Sequence, residues 1–537
     1  MHRCLRIPEV VREICGVLQR SGALSMALTC RQFLEPGLDK VWADVTAFNA
    51  LIACMPEDLW RVEERVGEGW ANFGQPTTVY SLSRALRSSD IDRYLKFYAH
   101  RIRVFRILGC SGFKWIDLDA LQALQVTTNW ELGALSPLLE EMVWEGPDTM
   151  ASLLGEEWAS HFSPSMSLLW GPKLQSLCLT LEEGQPLHAT SINGATTLIT
   201  KLKRLDIMMQ GGDQHLIDEY LSSYPWPGLQ YLRASTIAPS TIHHLGSLPC
   251  LATLELLSLK GNPLPLLYSA TTHSTLISEA RFSNLKTLEL ESAELAQITA
   301  FIQQMPATSP VEVLVCISSE YAPPLEAQNA VESIRLHANP NTLRSLLLRD
   351  ESDEYGDMID ESIEEPLELD PDASIDIASL LAFKHLTFVQ VLFKETILVT
   401  PDLIARIPEA WPGLTVLDLC SQIPSTRMPL IDHTHLLYLL RRCKSLLYLG
   451  LRFDATKIRG SELDLGAPFA LRGLRVGDSP ILSPSRVLGF LERNMPDLAR
   501  PERYIGGVTG VESLYMRRWK KVEKSRAWPK DSGAPWH

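Results

Sequence analysis

One spacing recurs along most of this 537-residue chain: three apolar residues at positions i, i+3 and i+5, read as Leu-x-x-Leu-x-Leu. Clear copies begin at Leu174, Leu202, Leu251, Leu285, Leu343, Leu414, Leu446 and Leu471. Looser copies begin at Ile102, Leu139, Leu229, Val311 and Leu386. Their starts lie 22 to 43 residues apart, so the chain is an irregular array of some thirteen similar pieces. Alternation within a triplet is the signature of a strand buried on one face, because successive side chains of a strand point to opposite sides.

Helical stretches separate the triplets. Leu295, Ile298, Phe301 and Ile302 fall on one stripe, and similar patterns run through Leu216 to Leu221, Leu403 to Ile407, His435 to Leu440 and Arg486 to Leu491. Pro225, Pro306, Pro408 and Pro496 are placed to stop a helix before the next strand. The tetrapeptide Trp-Pro-Gly-Leu occurs at 226–229 and again at 411–414, each time between a helix and a strand. A strand–helix unit cannot bury its apolar edge alone, so such units stack into a parallel sheet lined by helices. This stretch, about residues 100 to 480, resembles the leucine-rich repeat family. The resemblance implies an α/β solenoid of parallel strands backed by helices. The family's turn asparagine has no counterpart: Glu182, Gln210, Leu259, Ala293 and Gln422 stand there.

The first forty-five residues have a different pattern. Ile7-Pro8-Glu9 opens an amphipathic stretch with Val10, Ile14 and Leu18; Cys30-Arg31 closes a second; Leu38 and Val41-Trp42 close a third. Proline suits a first helical turn because its missing N–H would have no partner there, and glutamate suits the positive helix end. Three such short helices make too small a core to be self-sufficient. The segment resembles an F-box, with Phe33 where an aromatic residue is expected and Gly37 where alanine is frequent. The resemblance implies docking to a Skp-type adaptor, and through it to a cullin, by Ile7, Pro8, Val10, Leu24, Leu38, Val41 and Trp42. It also implies that the chain is a non-catalytic receptor that brings an unknown protein substrate to a ubiquitin ligase. Two other readings stand beside it. One is a leucine-rich interaction scaffold without a ligase, its N-terminal helices serving as a cap; the other is a regulator of a small GTPase.

The domain expectation is therefore an all-α module at 1–48, a helical linker or cap at 49–100, the repeat array at 101–482, and a C-terminal helix and basic tail at 483–537. The net charge of −14 argues against non-specific nucleic-acid binding. Thirteen carboxylates lie between Arg349 and Lys384 without a basic residue among them. This block reads as a solvated, disordered insertion at 350–376, or else as a lure for a basic partner or a modification site at Ser362. Residues 516–526 are basic and read as a frayed tail, an import signal, or a mate for an acidic partner or for the acidic block.

The 10 cysteines are scattered singly with no CxxC pair, which suits buried thiols. No signal peptide or membrane span is expected, so the reading is cytoplasmic or nuclear. Catalytic motifs, cofactor loops and metal-ligand spacings are not found. His243-His244 and His433/His435 read as surface or capping residues, with Thr434 as an N-cap. On the strands, residues between the leucines face the other side of the sheet. Val313, Val315 and Ile317 form an expected apolar centre for a substrate, Glu289 and Glu291 precede it, and Arg452 and Arg475 supply a cationic rim.

Overall fold

A computed structural model describes residues 5, 7–65, 77–107, 114–145, 165–182, 199–210, 215–235, 237–259, 282–350, 373–421, 425, 427–460, 462, 468–499, 501, 514–525 and 528. The chain divides into two compact units, Met1–Leu251 and Ala252–His537.

The first unit begins with helices α1 (Pro8–Val17), α2 (Arg20–Ala27) and α3 (Arg31–Ala43), and α3 runs directly into strand β1 (Asp44–Thr46). Next come α4 (Asn49–Cys54), β2 (Trp60–Arg65), β3 (Thr77–Leu82), α5 (Ser88–Phe97), β4 (Val104–Ile107), β5 (Lys114–Ile116), α6 (Leu118–Thr127) and β6 (Glu141–Glu145). The unit continues with β7 (Ser176–Glu182), β8 (Arg204–Gln210), α7 (His215–Ser222), β9 (Tyr231–Ala234) and α8 (Pro239–Gly246). Strands β1, β4, β6, β7, β8 and β9 pair in that order, all parallel. A separate small sheet pairs β2 antiparallel to β3, and β3 parallel to β5.

That small sheet corrects the expectation of a helical linker at 49–100. Val79 is fully buried, Trp60 meets Tyr80 edge-on across the pair, and Arg61 bonds Glu63, which stands opposite Val79. The charged residues of β2 hide its alternation in the sequence. Strand β1 also escapes the triplet pattern: it is three residues long, and Val45 is its one buried side chain.

The second unit contains β10 (Thr253–Leu259), β11 (Thr287–Ser292), α9 (Leu295–Ile302), β12 (Val313–Ser318), α10 (Pro324–His337), β13 (Ser345–Asp350) and β14 (Phe388–Leu392). It goes on through α11 (Pro401–Ala410), β15 (Val416–Asp418), α12 (His433–Arg442), β16 (Tyr448–Gly450), β17 (Gly473–Arg475), α13 (Pro484–Asn494) and α14 (Leu514–Lys524). Its eight strands pair parallel, each with its neighbour in sequence. Helix α10 was not expected, because its buried stripe is Ala327, Ala330, Val331 and Ile334, and alanine gives little contrast with polar neighbours. Pro408 does not stop α11; it sits in the last turn, and the helix continues to Ala410 with Trp411 N–H bonded to Ile407 O.

Every residue of the thirteen triplets is at most 3% exposed, so the i, i+3, i+5 spacing marks the core face throughout. Registration between strands rests on the main chain. The carbonyl just before a strand accepts two successive amides of the next one: Gln175 O from Lys203 and Arg204, Lys286 O from Glu312 and Val313, Glu312 O from Arg344 and Ser345, Thr415 O from Leu447 and Tyr448. A carbonyl has two lone pairs and can do this in any sequence. At strand exits in the second unit, short polar side chains bond the main chain of a neighbouring turn, as an asparagine ladder would. Ser292 Oγ donates to Leu259 O, Ser318 Oγ to Ala293 O, and Ser479 Oγ accepts from Phe453 N–H. The buried Asp350 carboxylate accepts from Ala322 and Lys394 amides. The register thus survives the loss of the asparagine.

Candidate functional site

In the N-terminal helices Val11, Cys15 and Phe33 form a buried cluster with Leu5, Met26 and Cys30 packed against it, and Ala23 and Ala27 of α2 are buried as well. Ile7 is extended, as a residue before proline prefers, and Pro8 is the first helical residue with Glu9 behind it. Helices α2 and α3 approach closely at Gly37. A Cβ there would stand 2.6 Å from Ala27 Cβ and 2.8 Å from Ala23 O. Glycine in place of the more usual alanine therefore has a steric reason in this chain.

So small a core leaves large apolar residues outside. Val17 is 85% exposed, Leu28 76%, Ile7 47%, Leu24 44% and Leu34 37%. Pro8 is exposed as well, and Val10 and Leu38 are half-buried. Two of the expected contact residues are used inside the chain instead. Val41 is buried, and the Trp42 ring stacks on Tyr98 at 4.2 Å between centroids. The same side of α3 is tied down by the buried Arg101 guanidinium, which bonds the carboxylates of Glu35 and Asp39 and donates to Phe97 O. The structure thus separates the seven residues. Ile7, Pro8 and Leu24 face solvent, Val10 and Leu38 lie at the margin, and Val41 and Trp42 fix the module to the body of the first unit.

Beside this junction runs an open groove of about 470 Å³, lined among others by Arg20, Trp42, Asn49, Cys54, Arg93 and Tyr98. Its one thiol, Cys54, is pushed up from the ordinary range by burial, with Arg93 pulling the other way, so it is held as a thiol at neutral pH. Among the described residues no group of three His, Cys, Asp or Glu side chains could hold a metal ion. His244 Nε2 lies 2.8 Å from Tyr224 O, and His433 packs edge-on against Phe490. Asp432, not Thr434, caps α12: its carboxylate accepts from Thr434 N–H and bonds His435 Nδ1.

The strand face of the second unit carries the other candidate. Registration puts Glu289, Val315 and Leu347 in one row across three strands, and Glu291, Ile317 and Arg349 in another. Val313 and Val315 are half-buried, whereas Ile317 is only 8% exposed and joins the core. The two arginines are not a free cationic rim. Arg452 Nε lies 2.7 Å from Asp478 Oδ1, and Arg475 Nη1 lies 3.1 Å from Asp418 Oδ2. Burial pushes both carboxyls up, and each arginine pulls its partner back toward the ionised form. Asp418 reaches Arg475 across Gly450, whose ideal Cβ would fall 1.8 Å from Asp418 Oδ1. No spacing rule points to these pairs, since each joins residues 26 or 57 apart. The acidic block, with Ser362, lies outside the described residues except at its ends: Asp350 closes β13, and Ile375 bridges Ile397.

Comparison with known proteins adds little. No family model matches the chain, and no curated protein matches it. One similar solved structure is described as the crystal structure of the Rad7 and Elc1 complex in yeast. It shares 14% identity at a TM-score of 0.27, covering 79% of this chain and 90% of that one. So low a score carries no argument. No helix among the described residues is long and apolar enough to cross a membrane.

Proposed function

We propose that this chain is a non-catalytic substrate receptor of an SCF-type cullin–RING ubiquitin ligase. Its N-terminal helices dock on a Skp-type adaptor, and its strand-and-helix array holds a protein substrate. The reading is supported by one observation above the others: a three-helix module, in the order of an F-box, whose small core is built around Val11, Cys15 and Phe33 and which leaves Ile7, Leu24 and Leu28 in solvent. Burying a leucine or isoleucine side chain contributes roughly 1.5–3 kcal/mol, so these three residues are sufficient anchors for a groove on a partner. Such a receptor does no bond chemistry; it raises the rate of ubiquitin transfer by holding the substrate near the loaded enzyme.

The alternative, a scaffold whose first helices only cap the array, draws on the inward use of Val41, Trp42 and Arg101. The two readings separate at the exposed residues. Full-length chain carrying Ile7→Asp and Leu24→Asp should bind purified Skp-type adaptor roughly tenfold or more weakly than wild type. Its thermal midpoint should be unchanged, because neither residue is in the core. Equal adaptor binding by variant and wild type, or none by wild type, would leave only the cap. On the substrate side, Val315→Asp is the cleaner probe, since reversing Arg452 or Arg475 would strand a buried carboxylate.

A further inference from the structure

The basic stretch expected as a frayed tail is an ordered helix over Leu514–Lys524, anchored by the fully buried Trp519 and Val522. Cations that border an apolar groove lie instead in the first unit, beside the junction of α3 and β1. The groove of about 470 Å³ is open because α4 turns small side chains to it. Asn49, Ala50, Ala53 and Cys54, at i, i+1, i+4 and i+5, line it, while Leu51 and Ile52 are buried on the other helix face. Its aromatic wall is the stacked pair of Trp42 and Tyr98, both half-buried. Arg20 of α2 and Arg93 of α5 also line it, and both are exposed. Neither guanidinium bonds a described residue.

No residue of the lining is acidic, and Cys54 stays a neutral thiol. Asn49 Oδ1 accepts from the Lys114 amide, which leaves the Asn49 NH2 as a further donor. Four residues beyond Arg93 on α5, Phe97 is 50% exposed, with Lys96 Nζ 5.4 Å from its ring. Apolar surface and positive charge thus continue past the rim. Exposed ion pairs add little affinity each, so a bare anion is a poor fit. The ligand has to supply an apolar side chain for the aromatic wall and carboxylates beside it. An open groove leaves a small molecule half in water, whereas a peptide chain continues over the rim onto Phe97.

We propose that this groove binds an acidic, apolar peptide segment of a partner protein. One aromatic or large aliphatic side chain of the segment lies against Trp42 and Tyr98, and the carboxylates flanking it pair with Arg20 and Arg93. A nucleic-acid strand also combines negative charge with flat rings, but a chain of net charge −14 repels a polyanion. The inference is independent of the adaptor reading, since it uses neither Ile7 nor Leu24.

The test uses the full chain and three labelled pools of octapeptides with randomised flanks and a fixed centre: Glu-Phe-Glu, Lys-Phe-Lys or Glu-Ser-Glu. Binding is followed by anisotropy at low salt. The Glu-Phe-Glu pool should bind at least tenfold more tightly than either of the others. Arg20→Gln with Arg93→Gln should weaken that binding about tenfold, and so should Ala53→Trp, which fills the groove. Raising salt should erase the preference over Lys-Phe-Lys and spare the preference over Glu-Ser-Glu. All three substituted residues are exposed, so circular dichroism of both variants should match wild type. No binding, equal binding of the three pools, or binding untouched by either variant would overturn the proposal. Tighter binding of a single-stranded oligonucleotide would overturn it too, in favour of a nucleic acid. Ile7→Asp with Leu24→Asp should leave peptide binding unchanged; a loss there would put the peptide on the adaptor face instead.

Discussion

At the N-terminal end, α1 to α3 leave five large apolar side chains at least 37% exposed. At the other end, β15 to β17 bury two carboxylates with their arginines, and the last helix covers itself with a fully buried tryptophan. Both ends meet the same physical demand. A stacked array exposes an apolar edge at its first and last strand, and each edge has to be covered. The C-terminal end meets much of this within the chain: Arg452 and Arg475 are paired with carboxylates and Trp519 and Val522 are buried, while Leu482 and Leu514 stay exposed. The N-terminal end satisfies only the inner half, through Val41, Trp42 and Arg101, and turns its outer half to solvent. An end whose first three helices turn five large apolar side chains to solvent is suited to a partner, and one with buried ion pairs and a buried tryptophan is suited to stability.

The comparison breaks most sharply at Gly450. An alanine methyl there would overlap Asp418 and drive its carboxylate off Arg475. Splitting a buried ion pair leaves an uncompensated charge and costs about 3–5 kcal/mol. Gly450→Ala should lower the unfolding free energy of the second unit by that amount, read from urea unfolding, while adaptor binding by the first unit is unchanged. A loss under about 1 kcal/mol would mean that the pair is not held in this geometry and that the C-terminal end is looser than described.

A smaller effect is expected at Asp350, where burial pushes the carboxyl up to about 6 against the pull of the Ala322 and Lys394 amides. Its folded value lies above its unfolded value. Its contribution to stability is therefore fully present below about pH 4 and is lost as pH rises through 6. Asp350→Asn removes that titration. Between pH 5 and 7.5 the wild type should lose about 1–2 kcal/mol relative to the variant, measured by urea unfolding at both values. Parallel curves would show that Asp350 ionises freely and that the strand exit is wet.

Which parts were legible in the sequence follows from the range over which each is determined. The triplets and most intervening helices are local patterns, and all thirteen triplets mark buried strand faces. The parts that were missed are of two kinds. Some have muted contrast, as in the alanine stripe of α10 and the charged strand β2. Others join distant residues, as with Asp418 and Arg475, or Trp42 and Tyr98. Ile7 and Leu24 are exposed, whereas the inward turn of Val41 and Trp42 depends on helix α5 and Arg101, which no short motif reports.

The smallest and most discriminating prediction is the same substitution at the other end, Gly37→Ala. In a helix interior alanine is favoured over glycine by about 1 kcal/mol, so propensity alone predicts a gain. Against it stand a 2.6 Å approach to Ala27 Cβ and a 2.8 Å approach to the Ala23 carbonyl. Neither is the tip of a flexible side chain, so α2 as a whole has to move, and overpacking of that kind costs about 1–3 kcal/mol. The net expectation is a loss of about 1 kcal/mol in the first unit, read from its urea midpoint with Gly450 intact. The sign decides the comparison. A loss shows that α2 and α3 are already packed in the free chain, so the module presents Leu24 on a rigid surface. A gain shows that the helices separate at little cost, and that the module's packing is completed only when a partner covers it.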